Sequence, residues 1–326
     1  MKLLVTGGAG YIGSVVTSLL VDAGHNVTVL DDLSTGHAEA VPVGATFVRG
    51  RVHDEIANVL TPEYDGVLHF AAFIAAGESV QKPETYWENN AVGTLKLLDA
   101  MRAARVRRLV FSSTANVYGD PDRVPIPETA PVRPPNPYAT SKLAADHMLT
   151  GDAVGHQLSA VSLRYFNVAG ALIADDGRMI GERHDPETHL IPIALQVAAG
   201  RRDKLQLFGD DYDTFDGTCV RDYIHVGDLA AAHLLALSTM DSPGHRVFNL
   251  GNGTGFSNRQ VVDVVRAVTG HPIPVEMAPR RPGDPAQLVA SSDKARSELG
   301  WSPQKPDLHD IVSDAWTFMR STGAAT

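Results

Sequence analysis

The chain has 326 residues, 28 of them basic and 38 acidic, for a formal net charge of −10. An acidic balance without a basic run argues against nucleic acid or an anionic membrane surface as partner, and the length supports a substantial core and two domains. With a single cysteine, Cys219, no intrachain disulfide can form, which suits a reducing compartment.

The apolar run after Met1 is too short for a signal peptide, and no stretch approaches the length of a membrane span. The expectation is a soluble cytoplasmic protein. Leu3-Leu4-Val5 reads as a buried strand, followed by the glycine-rich turn Thr6 to Gly13 and a helix from Ser14 to Ala23 that stops at Gly24. Strand, glycine turn and helix form the context a dinucleotide fingerprint needs, because backbone N–H groups at the helix start can receive a pyrophosphate. Two registers fit: Gly8, Gly10 and Gly13, or Gly7, Gly10 and Gly13. A plain structural turn is the competing reading of the glycines alone.

Asn26 to Leu30 predicts a second strand ending in Asp31-Asp32. Asp31 lies roughly 20 residues past the fingerprint, where a carboxylate accepts ribose hydroxyls and repels a 2′-phosphate; this favours NAD over NADP. Further strands are expected at Ala45 to Val48, Tyr64 to Ala72, Arg107 to Ser113 and Leu158 to Phe166, and a long helical segment at Pro83 to Ala104. Buried runs joined by helices predict a parallel sheet covered on both faces, a doubly wound (Rossmann) α/β fold with seven strands in all. Ligands then lie at the carboxyl ends of the strands, which read Thr6-Gly7, Asp31-Asp32, Phe70-Ala71-Ala72, Ser112-Ser113-Thr114 and Tyr165-Phe166-Asn167. Beyond Asn167 the alternation is lost through Asp216. Helices follow at Leu229 to Met240, Asn258 to Val268 and Leu308 to Arg320, with a strand at Arg246 to Leu250.

Between these strands, Asn136 can cap a helix that has Pro137 at its first position. Tyr138 and Lys142 then share one helical face. A nearby ammonium, together with an oxidised nicotinamide, lowers a phenol from about 10 toward neutrality and makes Tyr138 a base for a sugar hydroxyl. In isolation the pair reads better as a surface contact. The order of fingerprint, ribose acid, Ser112-Ser113-Thr114 and this helix favours the functional reading.

The motifs Gly7 to Gly13, Phe111 to Gly119, Tyr138 with Lys142, Arg164 to Asn167, Val220 to Val226 and Ala278 to Asp284 carry a resemblance that extends over nearly the whole chain. Together they resemble the extended short-chain dehydrogenase/reductases, and within them the UDP-glucose 4-epimerases. The resemblance implies a hydride taken from C4 of a UDP-hexose, rotation of the 4-keto sugar, and hydride return to its other face. It implies catalytic roles for Tyr138, Lys142 and Thr114, and a cofactor site formed by Gly7, Gly10, Tyr11, Ile12, Gly13, Asp31, Asp32, Val52, Phe70, Ala71, Ala72, Asn90, Ser112 and Phe166 along with Tyr138 and Lys142. Thr114, Tyr138, Asn167, His189, Leu190, Gln206, Phe208, Arg221, Arg281, Asp284 and Leu288 are the implied substrate contacts, with UDP-glucose and UDP-galactose as substrates. Guanidinium forks suit a diphosphate, and an acidic chain must supply them locally. The resemblance further implies a homodimer packed through Pro83 to Ala104 and the Tyr138 helix. It divides the chain into an NAD-binding domain, 1–169 and 222–250, and a smaller C-terminal α/β UDP-sugar domain, 170–221 and 251–326.

Three positions depart from the pattern. Arg51 stands where many relatives carry Asp against the adenine, Ile74 where some place a lysine, and His189 where some have asparagine. Leu288 aligns with a gate residue and is intermediate in size, which predicts a preference for UDP-galactose over N-acetylated sugars. UDP-N-acetylglucosamine or UDP-glucuronate 4-epimerase are the neighbouring readings. A dehydratase or decarboxylase needs an acid beside Thr114, where Ala115-Asn116 stand, and a non-catalytic NAD-binding regulator is expected to lose Tyr138 or Lys142. The segment Gly181 to His189 holds histidines and acids, but Pro186 prevents both histidines from sharing one helical face and no cysteine is near, so no metal is expected.

Overall fold

The computed structural model describes residues 1–174, 176–281 and 283–322. Its first half alternates strands and helices: β1 (Lys2–Thr6), α1 (Tyr11–Asp22), β2 (Asn26–Asp31), β3 (Thr46–Arg49), α2 (Val52–Val59), β4 (Gly66–His69), α3 (Ala76–Gln81), α4 (Pro83–Tyr86), α5 (Gly93–Ala104), β5 (Arg108–Thr114), α6 (Pro137–His156) and β6 (Ser159–Tyr165). Short elements follow: β7 (Asn167–Ala169), β8 (Ala171–Ile173), β9 (Met179–Gly181), α7 (Leu190–Ala198), β10 (Leu205–Phe208) and β11 (Val220–His225). The chain ends through α8 (Val226–Ser238), β12 (Gly244–Leu250), β13 (Gly255–Ser257), α9 (Asn258–Thr269), β14 (Val275–Ala278), β15 (Gln287–Leu288), α10 (Asp293–Leu299) and α11 (Leu308–Ser321).

Seven strands form one sheet in the order β12-β6-β5-β4-β1-β2-β3, and every neighbouring pair is parallel. Side chains alternate across each strand. Leu3, Val5, Val27, Val29 and Leu68 pack with Val15, Val16 and Leu20 of α1 and with Leu229 and Ala236 of α8. Leu4, Leu30, Val67 and Leu109 face the other way, onto Ile56 of α2, Leu97 and Leu98 of α5, and Leu149 of α6. The doubly wound expectation therefore holds.

A second group of strands lies beside this sheet. β11 pairs with β7, β13 and β15, and β10 pairs with β14. Their core is built from Ile191 and Leu195 of α7, Val261 and Val265 of α9, and Ile311 and Val312 of α11. The chain leaves the large sheet through β7 and returns through β11, and these two strands pair with each other.

Two elements differ from expectation. The strand expected over Tyr64 to Ala72 ends at His69. There Phe70 and Ala71 both donate backbone N–H bonds to the Thr6 carbonyl, at 2.8 and 3.1 Å, so the chain turns over the glycine loop instead of continuing the ladder. The long helix from Pro83 to Ala104 is interrupted by a π-helical stretch, Trp87–Val92, an irregularity frequent at functional sites. Among the described residues no helix is long and apolar enough to cross a membrane.

Candidate active site

The turn after β1 has almost no room for side chains on its inner face. Gly7 has φ +74°, and a Cβ there would stand 2.5 Å from the Ala71 nitrogen; a Cβ on Gly13 would stand 2.2 Å from the Gly7 carbonyl oxygen. At Gly10 a Cβ would meet only the Gly7 oxygen, at 3.4 Å, which leaves its outer side open. A Cβ on Gly8 would also stand 2.8 Å from the Val29 side chain, so packing calls for glycine here as at Gly7, and the positive φ sets Gly7 apart. Tyr11 and Ile12 begin α1, whose first N–H groups are not capped by a side chain, the arrangement that receives a phosphate.

Asp31 stands at the end of β2, 8% exposed. Its Oδ2 accepts the Ala9 N–H at 2.9 Å and its Oδ1 the Leu33 N–H at 2.8 Å. Each oxygen keeps a lone pair for a ribose hydroxyl. Burial raises its pKa above the ordinary carboxylate value, against the pull of those two N–H donors. Arg51 lies 4.0 Å from Asp32 and immediately precedes α2, in which Val52 is buried. The guanidinium is thus drawn to the second acid of the ribose-side turn. An open glycine cradle beside a fixed carboxylate fits a dinucleotide such as NAD.

Thr114 ends β5, and its Oγ1 accepts the Asn116 N–H at 3.1 Å. The expected cap on α6 is present: Asn136 Oδ1 accepts the Ala139 N–H at 2.9 Å, with Pro137 in the first turn. α6 then presents Tyr138 and Lys142 to the end of β5. Lys142 is 3% exposed, and its Nζ donates to the Ser112 carbonyl at 2.8 Å and lies 4.9 Å from the Phe111 ring centroid. Burial lowers its pKa to about 7, opposed by the Asp146 carboxylate. Burial raises the Tyr138 phenol, and the neighbouring Thr114 hydroxyl pulls it down. The sequence predicts a lowered phenol, and in the chain alone the direction is opposite. That expectation invoked a nicotinamide cation as well as the ammonium, and the chain alone carries only the ammonium, already bonded to Ser112.

Asn90 is buried in the π-helical stretch. Its side chain accepts the Phe73 N–H at 2.9 Å and donates to the Phe73 carbonyl at 3.0 Å and to Ser141 Oγ at 3.1 Å, so it fastens the strand-end turn to α6. Phe70 and Ala71 pack against the two core layers, and Phe166 is buried in a small cluster with Ala115, Val117, Tyr118 and Ile126. The Ser112 and Tyr165 hydroxyls are hydrogen-bonded to each other. Ile74 is exposed.

On the substrate side, Arg221 donates to Asp284 at 2.6 Å and is in register with Leu288 across β11 and β15. Leu288 packs on the Phe166 cluster, which ties it to the segment that follows Thr114. Arg281 stacks over Phe208, 4.0 Å from the ring centroid, while Gln206 is exposed and donates to Glu276 at 3.2 Å. Pro282, within the quoted Ala278 to Asp284 motif, lies outside the described residues. Asn167 is exposed at the start of β7, opposite Tyr223. His189 and Leu190 begin α7, and His189 Nδ1 contacts Glu182 at 2.5 Å. Pro186 does keep the two histidines off a common helix, yet the loop folds Glu182, His184, Glu187 and His189 together, with one ligand atom from each within 4.8 Å of the others.

Residue reading missed the support beneath α6. Asp146, one turn after Lys142, accepts bonds from Ser113 at 3.2 Å, Ser162 at 2.7 Å and Arg164 at 2.9 Å, and Arg164 also donates to Tyr118 at 3.1 Å. Tyr86 packs edge-on against Tyr138 with centroids 6.4 Å apart. The one available signal was Lys142 and Asp146 at i and i+4.

Residues 3–251 match the family model described as the NAD dependent epimerase/dehydratase family. The UDP-glucose 4-epimerase of Streptomyces lividans is 60% identical, covering 98% of this chain and 96% of its own. The crystal structure of UDP-glucose 4-epimerase from Brucella ovis in complex with NAD is 46% identical, with TM-score 0.92, over 97% of this chain and 98% of its own. That of UDP-glucose 4-epimerase from Bifidobacterium longum, in complex with NAD+ and UDP, is 37% identical with TM-score 0.93 over 100% of both chains.

Proposed function

The chain belongs to the NAD-dependent epimerase/dehydratase family, and from that premise we propose that it interconverts UDP-glucose and UDP-galactose by oxidation at C4 and hydride return. The observation that carries this reading is the meeting of Tyr138 and Lys142 of α6 with the end of β5, at the carboxyl edge of a sheet whose first turn is an open glycine cradle.

Gly7, Gly10 and Gly13 admit the pyrophosphate, Tyr11 and Ile12 offer backbone N–H groups, and Asp31 accepts the adenosine ribose hydroxyls. Asp32 and Val52 border the adenosine end; Phe70, Ala71, Ala72, Asn90, Ser112 and Phe166 shape the nicotinamide end. Bound NAD supplies a hydride acceptor that becomes the donor again within the same turnover. Tyr138 takes the proton from O4 as C4 is oxidised and gives it back on reduction. Thr114 holds O4 beside the phenol, and the buried Lys142 orients the nicotinamide ribose. Arg221, Arg281 and Asp284 hold the diphosphate and uridine, with Phe208 backing Arg281 and Gln206, Asn167, His189 and Leu190 completing the wall. With the nucleoside diphosphate held and the hexose itself loosely bound, the keto sugar turns and presents its other face.

The same reading assigns 1–169 and 222–250 to the cofactor and 170–221 and 251–326 to the UDP-sugar. It places the protein in the cytoplasm, where the buried Cys219 stays a free thiol. Trp87, Val92 and Leu95 are exposed along one helical stretch, which supports a homodimer packed there, to be checked by light scattering. The function is tested with purified protein and UDP-galactose: UDP-glucose must form without added NAD, and the denatured protein must release NAD.

A further inference from the structure

The 182–189 loop gathers two imidazoles and two carboxylates, and of these the proposed substrate wall uses only His189. Glu182 and Glu187 have side chains only 6% and 2% exposed. Burying two carboxylates so close together is costly unless cations accompany them. Both histidines turn Nδ1 to the same Glu182 oxygen, at 2.9 Å for His184 and 2.5 Å for His189. Glu187 Oε1 accepts the Thr188 and His189 N–H groups at 2.7 and 2.8 Å. Its Oε2 makes no hydrogen bond to any of the described residues and faces His184 Nδ1 at 3.9 Å. His189 sits at the N-cap of α7 without capping it, its ring committed to the cluster instead.

We propose that Glu182, His184, Glu187 and His189 form a site for one zinc ion. Zinc takes imidazole nitrogen and carboxylate oxygen at about 2.0–2.2 Å in a tetrahedron, which sets its donors about 3.4 Å apart. One ligand atom from each of the four residues lies within 4.8 Å of the others, and the two short contacts from Nδ1 to Glu182, hydrogen bonds in the metal-free chain, open as zinc displaces their protons. Two carboxylates with two neutral imidazoles neutralise a divalent ion, and imidazole donors favour zinc over magnesium or calcium. The four positions are closed by protein, so the ion is structural. It fixes the connection from β9 to α7, whose Arg183 carbonyl is 3.0 Å from His37 Nε2 and whose Arg183 guanidinium pairs with Glu39 at 3.0 Å. Through these contacts the loop is fastened to the turn after β2, on the cofactor side.

The test uses the full-length protein, stripped with chelator and dialysed against zinc chloride. We expect one zinc per chain, a melting temperature that rises with zinc, and an X-ray absorption spectrum with two imidazoles in a four-coordinate shell. His184→Ala and Glu187→Gln should each weaken zinc binding more than about tenfold and abolish the thermal response, while circular dichroism checks their fold. Absence of zinc from the wild type, a shell without two imidazoles, or equal zinc retention by folded variants overturns the site. The absorption measurement needs no variant, so it decides the matter even if both substitutions fail to fold.

Discussion

Tyr138 and Lys142 share a face of α6, yet their polar atoms meet different partners. The ammonium is held by the Ser112 carbonyl at 2.8 Å, and the phenol neighbours Thr114. This division supports the proposed roles, Lys142 orienting the cofactor and Tyr138 moving the proton. Tyr138→Phe should lower kcat by about 10²- to 10⁴-fold, the usual cost of losing a general base, with released NAD unchanged on denaturation; unchanged turnover would refute the assignment. Thr114→Val should cost less, because the phenol remains. Leu288 belongs to the same scale. It packs on the Phe166 cluster beside the Arg221 register, which supports the proposal that its side chain limits the sugar pocket. A clash of a few atoms costs about 1–3 kcal/mol, which predicts a tenfold to hundredfold preference in kcat/KM for UDP-galactose over UDP-N-acetylgalactosamine. Leu288→Ser should narrow that ratio, and an unchanged ratio would place the limit elsewhere.

At the scale of elements, the glycine turn is the most demanding piece of backbone. Gly13→Ala would drive a methyl to 2.2 Å from the Gly7 oxygen, and neither backbone can yield without moving α1. We expect loss of retained NAD and a stability loss of about 1–3 kcal/mol, seen by nucleotide release and urea denaturation; an alanine variant with full NAD content would show that the turn is not the cradle. This turn was legible in the sequence because its chemistry is local: strand, glycines and helix lie within one short stretch. The Asn136 cap and Pro137 were legible for the same reason. The early end of β4 was not, since it depends on where the Thr6 carbonyl lies in space. Nor was the Asp146 network, whose partners come from β5 and β6. In the 182–189 segment, Pro186 was read correctly as a helix breaker, but residue types alone do not show how a loop folds back on itself.

For the molecule as a whole, Asp222 joins the two sheets. It is fully buried in β11 and accepts backbone N–H bonds from Asn252 at 2.8 Å, Gly253 at 2.9 Å and Ala290 at 3.0 Å. Burial still dominates those donors and raises its pKa from 3.8 to about 6. The folded state thus binds this proton more tightly than the unfolded chain. The resulting stabilisation is full below pH 3.8 and is lost as pH rises through about 6. Relative to Asp222→Asn, the wild type should therefore gain about 1 kcal/mol between pH 7 and pH 5. Melting curves of both proteins at the two pH values measure this, and a wild type that loses ground to the variant on acidification would reverse the sign.

β12 closes the large sheet against β6, with Gly244 to Leu250 in register with Ser159 to Tyr165, and α8, which covers one sheet face, immediately precedes it. On the ribosome, β6 emerges long before its neighbour. Until Leu250 has been synthesised, β6, buried along nearly its whole length in the finished protein, is left as the edge of the nascent sheet, and an apolar unpaired edge invites association between chains. A fragment that stops short of Gly244 would therefore be a client for chaperones and proteases, even though the entire glycine turn, Tyr138 and Lys142 have already been made.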